Sequence, residues 1–281
     1  MFLGILLLLS LIFPFAQADQ KSKVIEAADG VPIHYSDQGK GDTAIVFVHC
    51  WACDRTYWVN QVPEFAKNYR VVTIDLPGHG ESGQGRKDWS IASFGQDVKT
   101  VVTKLDLKRV VLVGSSMGGP ISLEGARAMP DRVVAVVPVD SLLNVEQRLT
   151  QEQLDGVIGQ MQADYKATVT GLTNQFFFSP NTPAAVKERV LKDATSRPPE
   201  MAIAILKGIF VHDPVPALRE IKVPIHAINA DRAPTALEVN RKYAPQFDAT
   251  IIKGSGHYPM LEQPAAFNQA LAEILKKLPA K

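Results

Sequence analysis

The 281-residue chain has almost no net charge, only two cysteines and no block of like charges, and each shortage narrows what it can be. Lys and Arg number 30 against 29 Asp and Glu, a formal charge of +1. Nothing in that balance attracts nucleic acid or an anionic membrane, so neither is expected as a partner. The pair Lys276-Lys277 reads as a solvated helix end. No internal repeat or low-complexity segment follows the N-terminal region, which excludes solenoid architectures. The length leaves room for one large domain or two small ones.

The one long apolar run covers Phe2 to Phe15, followed by Ala16-Gln17-Ala18 and the polar Asp19-Gln20-Lys21. A membrane-spanning helix needs about 20 apolar residues, more than this run offers. Small residues at the first and third positions of Ala-Gln-Ala suit a signal peptidase. The expectation is therefore a signal peptide over residues 1–18, a secreted or periplasmic mature protein, and no stable membrane insertion after cleavage. No Cys follows the run, which argues against lipid attachment there. The amine at the start is the run's only flanking positive charge, a departure from the usual signal.

Beyond it, short β-branched runs alternate with longer amphipathic segments, the pattern of a mainly parallel, doubly wound sheet in an α/β fold. Strands are expected at Val31 to Ser36, Ala44 to His49, Arg70 to Asp75, Arg109 to Gly114, Val133 to Val139, Val223 to Ala230 and Ala249 to Lys253. Their Val/Ile runs are continuous rather than alternating, as in strands covered on both faces. Helices are expected at Ser90 to Leu105, with Ser90 as N-cap, and at Met117 to Met129, Ala236 to Tyr243 and Ala265 to Leu278. Between Asp140 and Val223 no strand signal appears, only amphipathic segments broken by prolines. A structureless loop of that length does not suit a compact domain. Residues 141–219 are read as an inserted helical cap, with 19–140 and 220–281 as the core.

Gly114-Ser115-Ser116-Met117-Gly118 is a GxSxG pentapeptide between a strong strand and a strong helix. A serine at the apex of such a turn has an exposed hydroxyl, and flanking glycines remove side chains that would clash across it. The plain alternative is a Gly/Ser turn, but the strand before and helix after favour a nucleophile at Ser116, with Ser115 left to the strand end. A serine hydroxyl needs a base. His257, in Gly254-Ser255-Gly256-His257 after the last strand, opens at the same carboxyl edge of the sheet. Of the other histidines, His34, His212 and His226 fall in strand or cap patterns and read as structural, and His79 as part of a tight turn.

These motifs, in order, resemble those of the α/β-hydrolase superfamily, in its branch with a helical cap. The matching residues are His49 at a strand end, Asp75 to Ser82 (DLPGHGES), Gly114 to Gly119 (GSSMGG), and Gly254 to His257 with Glu262 and Pro264 downstream. The resemblance implies a Ser-acid-His triad, acyl transfer to water through an acyl-enzyme, no cofactor and no metal. It also implies an oxyanion hole built from the backbone N–H groups of Met117 and Trp51. Cys50 stands where relatives usually carry glycine. A serine elbow argues against dehalogenases and epoxide hydrolases, which use Asp there. Carboxylesterase activity on a small apolar ester is the default. Lactonase, thioesterase, C–C hydrolase, cofactor-free haloperoxidase-like and non-catalytic ligand-binding members remain open.

The acid is less plain. The family's common position, after the strand ending at Ala230, falls on Ala233. Asp231 lies two residues earlier, about 6–7 Å away in extended chain. Asp140 closes the strand Val133 to Val139, where some members carry their acid, and it is the favoured candidate over Asp231. A capping carboxylate at Asp140 and an exposed turn residue at Asp231 are the plain alternatives. Cys50-Trp51-Ala52-Cys53 also has the spacing of a thiol-disulfide oxidoreductase. That reading leaves Ser116 and His257 unexplained, so a structural bridge or two inert thiols are expected instead.

Overall fold

A computed structural model describes residues 22–278, so the expected signal peptide and its cleavage site lie outside the described residues. The strands are β1 Lys23–Glu26, β2 Pro32–Gln38, β3 Ala44–Val48, β4 Arg70–Ile74, β5 Val110–Ser115, β6 Val133–Val139, β7 Ile225–Ala230 and β8 Phe247–Ile252. They form one eight-stranded sheet in the order β1-β2-β4-β3-β5-β6-β7-β8. The β1–β2 and β2–β4 pairs are antiparallel, and every later pair is parallel.

The continuous apolar strands are covered on both sides. Val46 and Val48 of β3 and Val110 and Leu112 of β5 face one core, with Phe94, Val98 and Ile121. Those partners belong to α2 Ile91–Lys104 and α3 Gly118–Ala128. The alternate residues Ile45, Phe47, Val111 and Val113 face the other core with Trp58, Val62, Phe267 and Leu271. These belong to a 3-10 turn at Arg55–Trp58, to α1 Val62–Phe65 and to the closing helix Pro264–Lys276. The period of two along each strand deals successive side chains to opposite faces. Ser90 caps α2, its side chain accepting from Ser93 N at 3.2 Å. The sequence pattern passed over β1. Its four residues, Lys-Val-Ile-Glu, are largely exposed on the sheet edge and lack the long apolar run of the covered strands.

Between β6 and β7 run α4 Gln151–Ala163, α5 Tyr165–Phe176, α6 Ala184–Thr195, α7 Pro199–Val211 and α8 Val215–Glu220. After β7 come α9 Leu237–Tyr243, then α10 Pro259–Glu262 and α11 Pro264–Lys276. Helix α4 starts with a reciprocal capping box between Thr150 and Gln153. Leu154, Ile158, Met161, Tyr165, Val169 and Ile203 give α4, α5 and α7 a small core of their own, which Ala52 and Trp51 join from the sheet side. Among the described residues no helix is long and apolar enough to cross a membrane.

Candidate active site

β5 ends at Ser115 and α3 begins at Gly118, so the chain reverses in two residues. Ser116 takes up that turn with φ of 51°, a left-handed conformation disfavoured for any residue with a Cβ. The turn is held by Ser116 N donating to Val139 O at 2.8 Å and by the Ser141 hydroxyl donating to Ser116 O at 2.8 Å. A Cβ on Gly114 would lie 1.9 Å from Gly118 O, and one on Gly118 would lie 2.4 Å from Val48 O. The pattern's glycines are therefore required by backbone-to-backbone approach. Ser115 is buried at the strand end, while Ser116 is partly exposed.

His257 follows β8, in a loop that Glu262 organises by accepting from Gly256 N at 2.7 Å and Tyr258 N at 3.0 Å. The His257 N–H donates to Phe177 O at 2.7 Å. The Phe177 ring stacks on the imidazole, centroids 4.4 Å apart and planes at 19°. Of the three adjacent phenylalanines, Phe176 is exposed, Phe178 packs on the core, and Phe177 covers the histidine.

Asp140 directly follows β6, with φ of 40° and its carboxylate fully buried. Its Oδ1 accepts from Ala230 N at 3.1 Å, and its Oδ2 accepts from His257 Nδ1 at 2.5 Å and from Arg232 Nε at 2.7 Å. Burial alone would raise this carboxyl's pKa. The hydrogen bond and charge of His257, with those of Arg232, overcome it and hold the group below its ordinary value. Asp231 is placed elsewhere: exposed, it accepts from Gly254 N at 2.8 Å and braces the start of the histidine loop. The structure thus brings Asp140, and not Asp231, to His257.

Trp51 and Met117 lie at the ends of β3 and β5. Neither backbone N–H donates to an acceptor among the described residues. Cys50 tolerates its side chain because the left-handed residue of this loop is Ala52, with φ of 60°. Cys50 and Cys53 are joined in a disulfide, Cα atoms 5.3 Å apart, and both are buried. The indole of Trp51 donates to Ala202 O at 3.0 Å, and Arg197 donates to Ala52 O and Cys53 O. Helix α7 and the turn before it therefore hold the loop from above. His49 Nε2 accepts from Leu76 N at 3.0 Å, which leaves its proton on Nδ1 to donate to Cys50 O at 2.7 Å.

Ser116, Met117, Trp51, Asp140 and His257 all line one cavity of about 610 Å³. Its walls are otherwise largely apolar, from Leu142, Leu143, Val145, Leu206, Ile209 and Phe210. Among the described residues no cluster of His, Cys, Asp and Glu is arranged to hold a metal ion.

The model of the α/β-hydrolase family matches residues 45–270, from β3 into the closing helix. The chain belongs to that family. A bromoperoxidase from Bacillus anthracis shares the fold with a TM-score of 0.82 at 23% identity, covering 91% of this chain and 100% of that one. An esterase from Thermogutta terrifontis superposes with a TM-score of 0.80 at 25% identity, over 92% of this chain and 98% of that one. A dihydrolipoyllysine-residue acetyltransferase component of an acetoin cleaving system from Pseudomonas putida is 25% identical over 251 residues, 85% of this chain. The match spans 65% of that relative's length.

Two residues at the hydrolase site escaped the sequence pattern. Arg232 sits one position before the alanine that replaces the family's usual acid, and the only signal was its place in that loop. Phe177 is the middle of three adjacent phenylalanines, and nothing in the sequence distinguishes it from Phe176 and Phe178.

Proposed function

We propose that the chain is a serine hydrolase cleaving carboxylic esters, lactones included, through an acyl-enzyme. The observation that carries this reading is the buried Asp140–His257 pair opening with Ser116 onto one cavity. Ser116 Oγ attacks the ester carbonyl carbon while His257 Nε2 takes its proton. Asp140 keeps the His257 proton on Nδ1 and stabilises the imidazolium. The carbonyl oxygen, now negative, accepts from the Met117 and Trp51 N–H groups, neither of which has an acceptor among the described residues. The imidazolium gives its proton to the departing alkoxide. Water, deprotonated by the same nitrogen, then frees the acid and restores Ser116. The similarity to an esterase supports ester chemistry.

A fluorophosphonate probe is the test, alongside turnover of p-nitrophenyl esters. Labelling confined to Ser116, lost in Ser116→Ala, is the expected result. Labelling at Ser115, or full esterase activity in Ser116→Ala, would overturn it. Export is part of the same proposal, supported by the Cys50–Cys53 bridge, since disulfides persist in oxidising compartments. An N-terminus at Asp19 on intact-mass measurement is the expected mark, and a retained leader in exported protein would count against cleavage after Ala18.

A further inference from the structure

We propose that Arg232 forms a carboxylate-binding subsite beside the Asp140–His257 pair, so that the preferred substrates are esters whose acyl part carries a free carboxylate. This rests on the serine-hydrolase reading and goes beyond a wholly apolar substrate.

The argument begins with the guanidinium's five N–H groups. Its Nε donates to Asp140 Oδ2 at 2.7 Å, and Nη1 donates to Phe176 O at 3.1 Å. Nη2 lies 3.3 Å from His257 Nδ1. That nitrogen offers no lone pair. Its 2.5 Å contact is with an ionised carboxylate, which only accepts, so Nδ1 must itself carry the hydrogen. Two N–H groups of Nη2 and one of Nη1 therefore have no acceptor among the described residues. Free donors therefore remain on both terminal nitrogens, and a carboxylate's two oxygens are the acceptors a guanidinium pairs with best.

The surroundings point the same way. Arg232 lines the cavity together with Ser116 and His257, its side chain 24% exposed. The cavity wall carries two arginines, Arg148 and Arg232, and a single carboxylate, Asp140. His212, on the same wall, is lowered to about 4 by burial and is neutral at pH 7. A triad with an unopposed buried carboxylate repels an anionic substrate. Here the Arg232 charge offsets Asp140 and leaves donors over. Arg148 pairs with the exposed Asp213 near the surface, whereas Arg232 touches both Asp140 and His257 and is the cation nearest the triad. The apolar wall from Leu142 to Phe210 would take the rest of the molecule, giving an amphiphilic substrate.

Two matched pairs of esters test this. The mono-p-nitrophenyl esters of succinic and glutaric acid are compared with p-nitrophenyl butyrate and valerate, which differ by a methyl in place of the carboxylate. In the wild-type protein kcat/KM for the acid of at least one pair should exceed that of its neutral partner by about tenfold or more, the effect of one charge-assisted pair. Arg232→Gln should bring that ratio to one or below, and Arg232→Lys should keep part of it. Free succinate or glutarate should also inhibit wild-type butyrate hydrolysis competitively, and the corresponding diamide should not. Ratios of one or below for both pairs in the wild-type protein would overturn the subsite. So would a ratio unchanged in Arg232→Gln, or one that collapses in Arg148→Gln alone. Ser116-dependent hydrolysis of the neutral esters keeps the serine-hydrolase reading in any of these cases, whereas no ester turnover and no Ser116 labelling removes both.

Discussion

Around Ser116 the chain is shaped by its own backbone, whereas around Asp140 it is shaped by side chains that arrive from far along the sequence. Gly114 and Gly118 permit carbonyl contacts that no Cβ could survive, and the strand-turn-helix spans only a few residues. The acid side is assembled from Asp140 just past β6, Ala230 at the end of β7, Arg232 after it, and His257 after β8, the partners lying 90 to 117 positions from Asp140. A local device writes itself as a local pattern. A long-range device leaves single residues that mean little until the sheet brings them together.

Removing the atoms proposed to react breaks both sides at once and gives the largest effect. Ser116→Ala and His257→Ala should each lower kcat by about 10⁶, as for triad serine and histidine elsewhere. Ser116→Ala should leave the melting temperature unchanged, because the hydroxyl adds little packing and the left-handed φ remains. Stopped assays of folded variants decide it, and residual rates within a hundredfold of wild type would mean another nucleophile.

The next effect sharpens the comparison on its acid side. Asp140→Asn keeps the shape but loses the charge that orients His257, and should cost about 10⁴ in kcat. Asp231→Asn weakens one brace at Gly254 and should cost less than about tenfold, as suits an exposed hydrogen bond. The reverse order in folded proteins would transfer the role of acid to Asp231.

On the other side the proposed oxyanion loop is pinned rather than merely bent. The Cys50–Cys53 ring encloses Trp51 and Ala52, and Arg197 grips the carbonyls of Ala52 and Cys53 from the turn between α6 and α7. Losing a whole oxyanion donor costs about 10²–10³, so loosening one should cost less, on the order of tenfold to a hundredfold. Cys53→Ser and Arg197→Ala should show that loss in kcat, with KM little changed. A boronic-acid inhibitor that mimics the tetrahedral state should weaken in parallel. Unchanged inhibitor affinity with a lower melting temperature would make the bridge and Arg197 structural only.

The same contrast explains what the sequence made legible. The sheet strands, the elbow and the position of His257 follow from periodicity, glycine sterics and chain order. The edge strand β1 was silent because it lacks the long apolar run of the covered strands. Arg232 was silent because a charged residue in a polar loop is ordinary until Asp140 and His257 are found beside it. The choice between Asp140 and Asp231 needed the distance across two strands, which no spacing along one segment contains.

The smallest effect at neutral pH, and the last way to separate the two sides, is their response to acid. His49 and His79 lie ring to ring at 4.9 Å, and His49 donates to Cys50 O at the start of the disulfide loop. Burial lowers both pKa values, that of His79 well below the ordinary one, with the neighbouring histidine adding to the effect there. Above about 6.5, the ordinary histidine value, folded and unfolded chains are both neutral at these positions, and pH has no leverage through them. Below it the unfolded imidazoles bind protons that the buried ones refuse, so stability falls as pH falls. Asp140 titrates in a lower window. Its carboxyl is held below the ordinary 3.8, so the stability it contributes is complete above that value and is lost only as pH drops beneath it. Acid should therefore loosen the side with His49 and His79 first and the Asp140 side last. Melting temperature should begin to decline below pH 6.5, and His79→Gln should flatten the decline between pH 6 and 4 relative to wild type, even if its stability at pH 7 is lower. An identical slope in His79→Gln would show that the buried pair does not set the acid response.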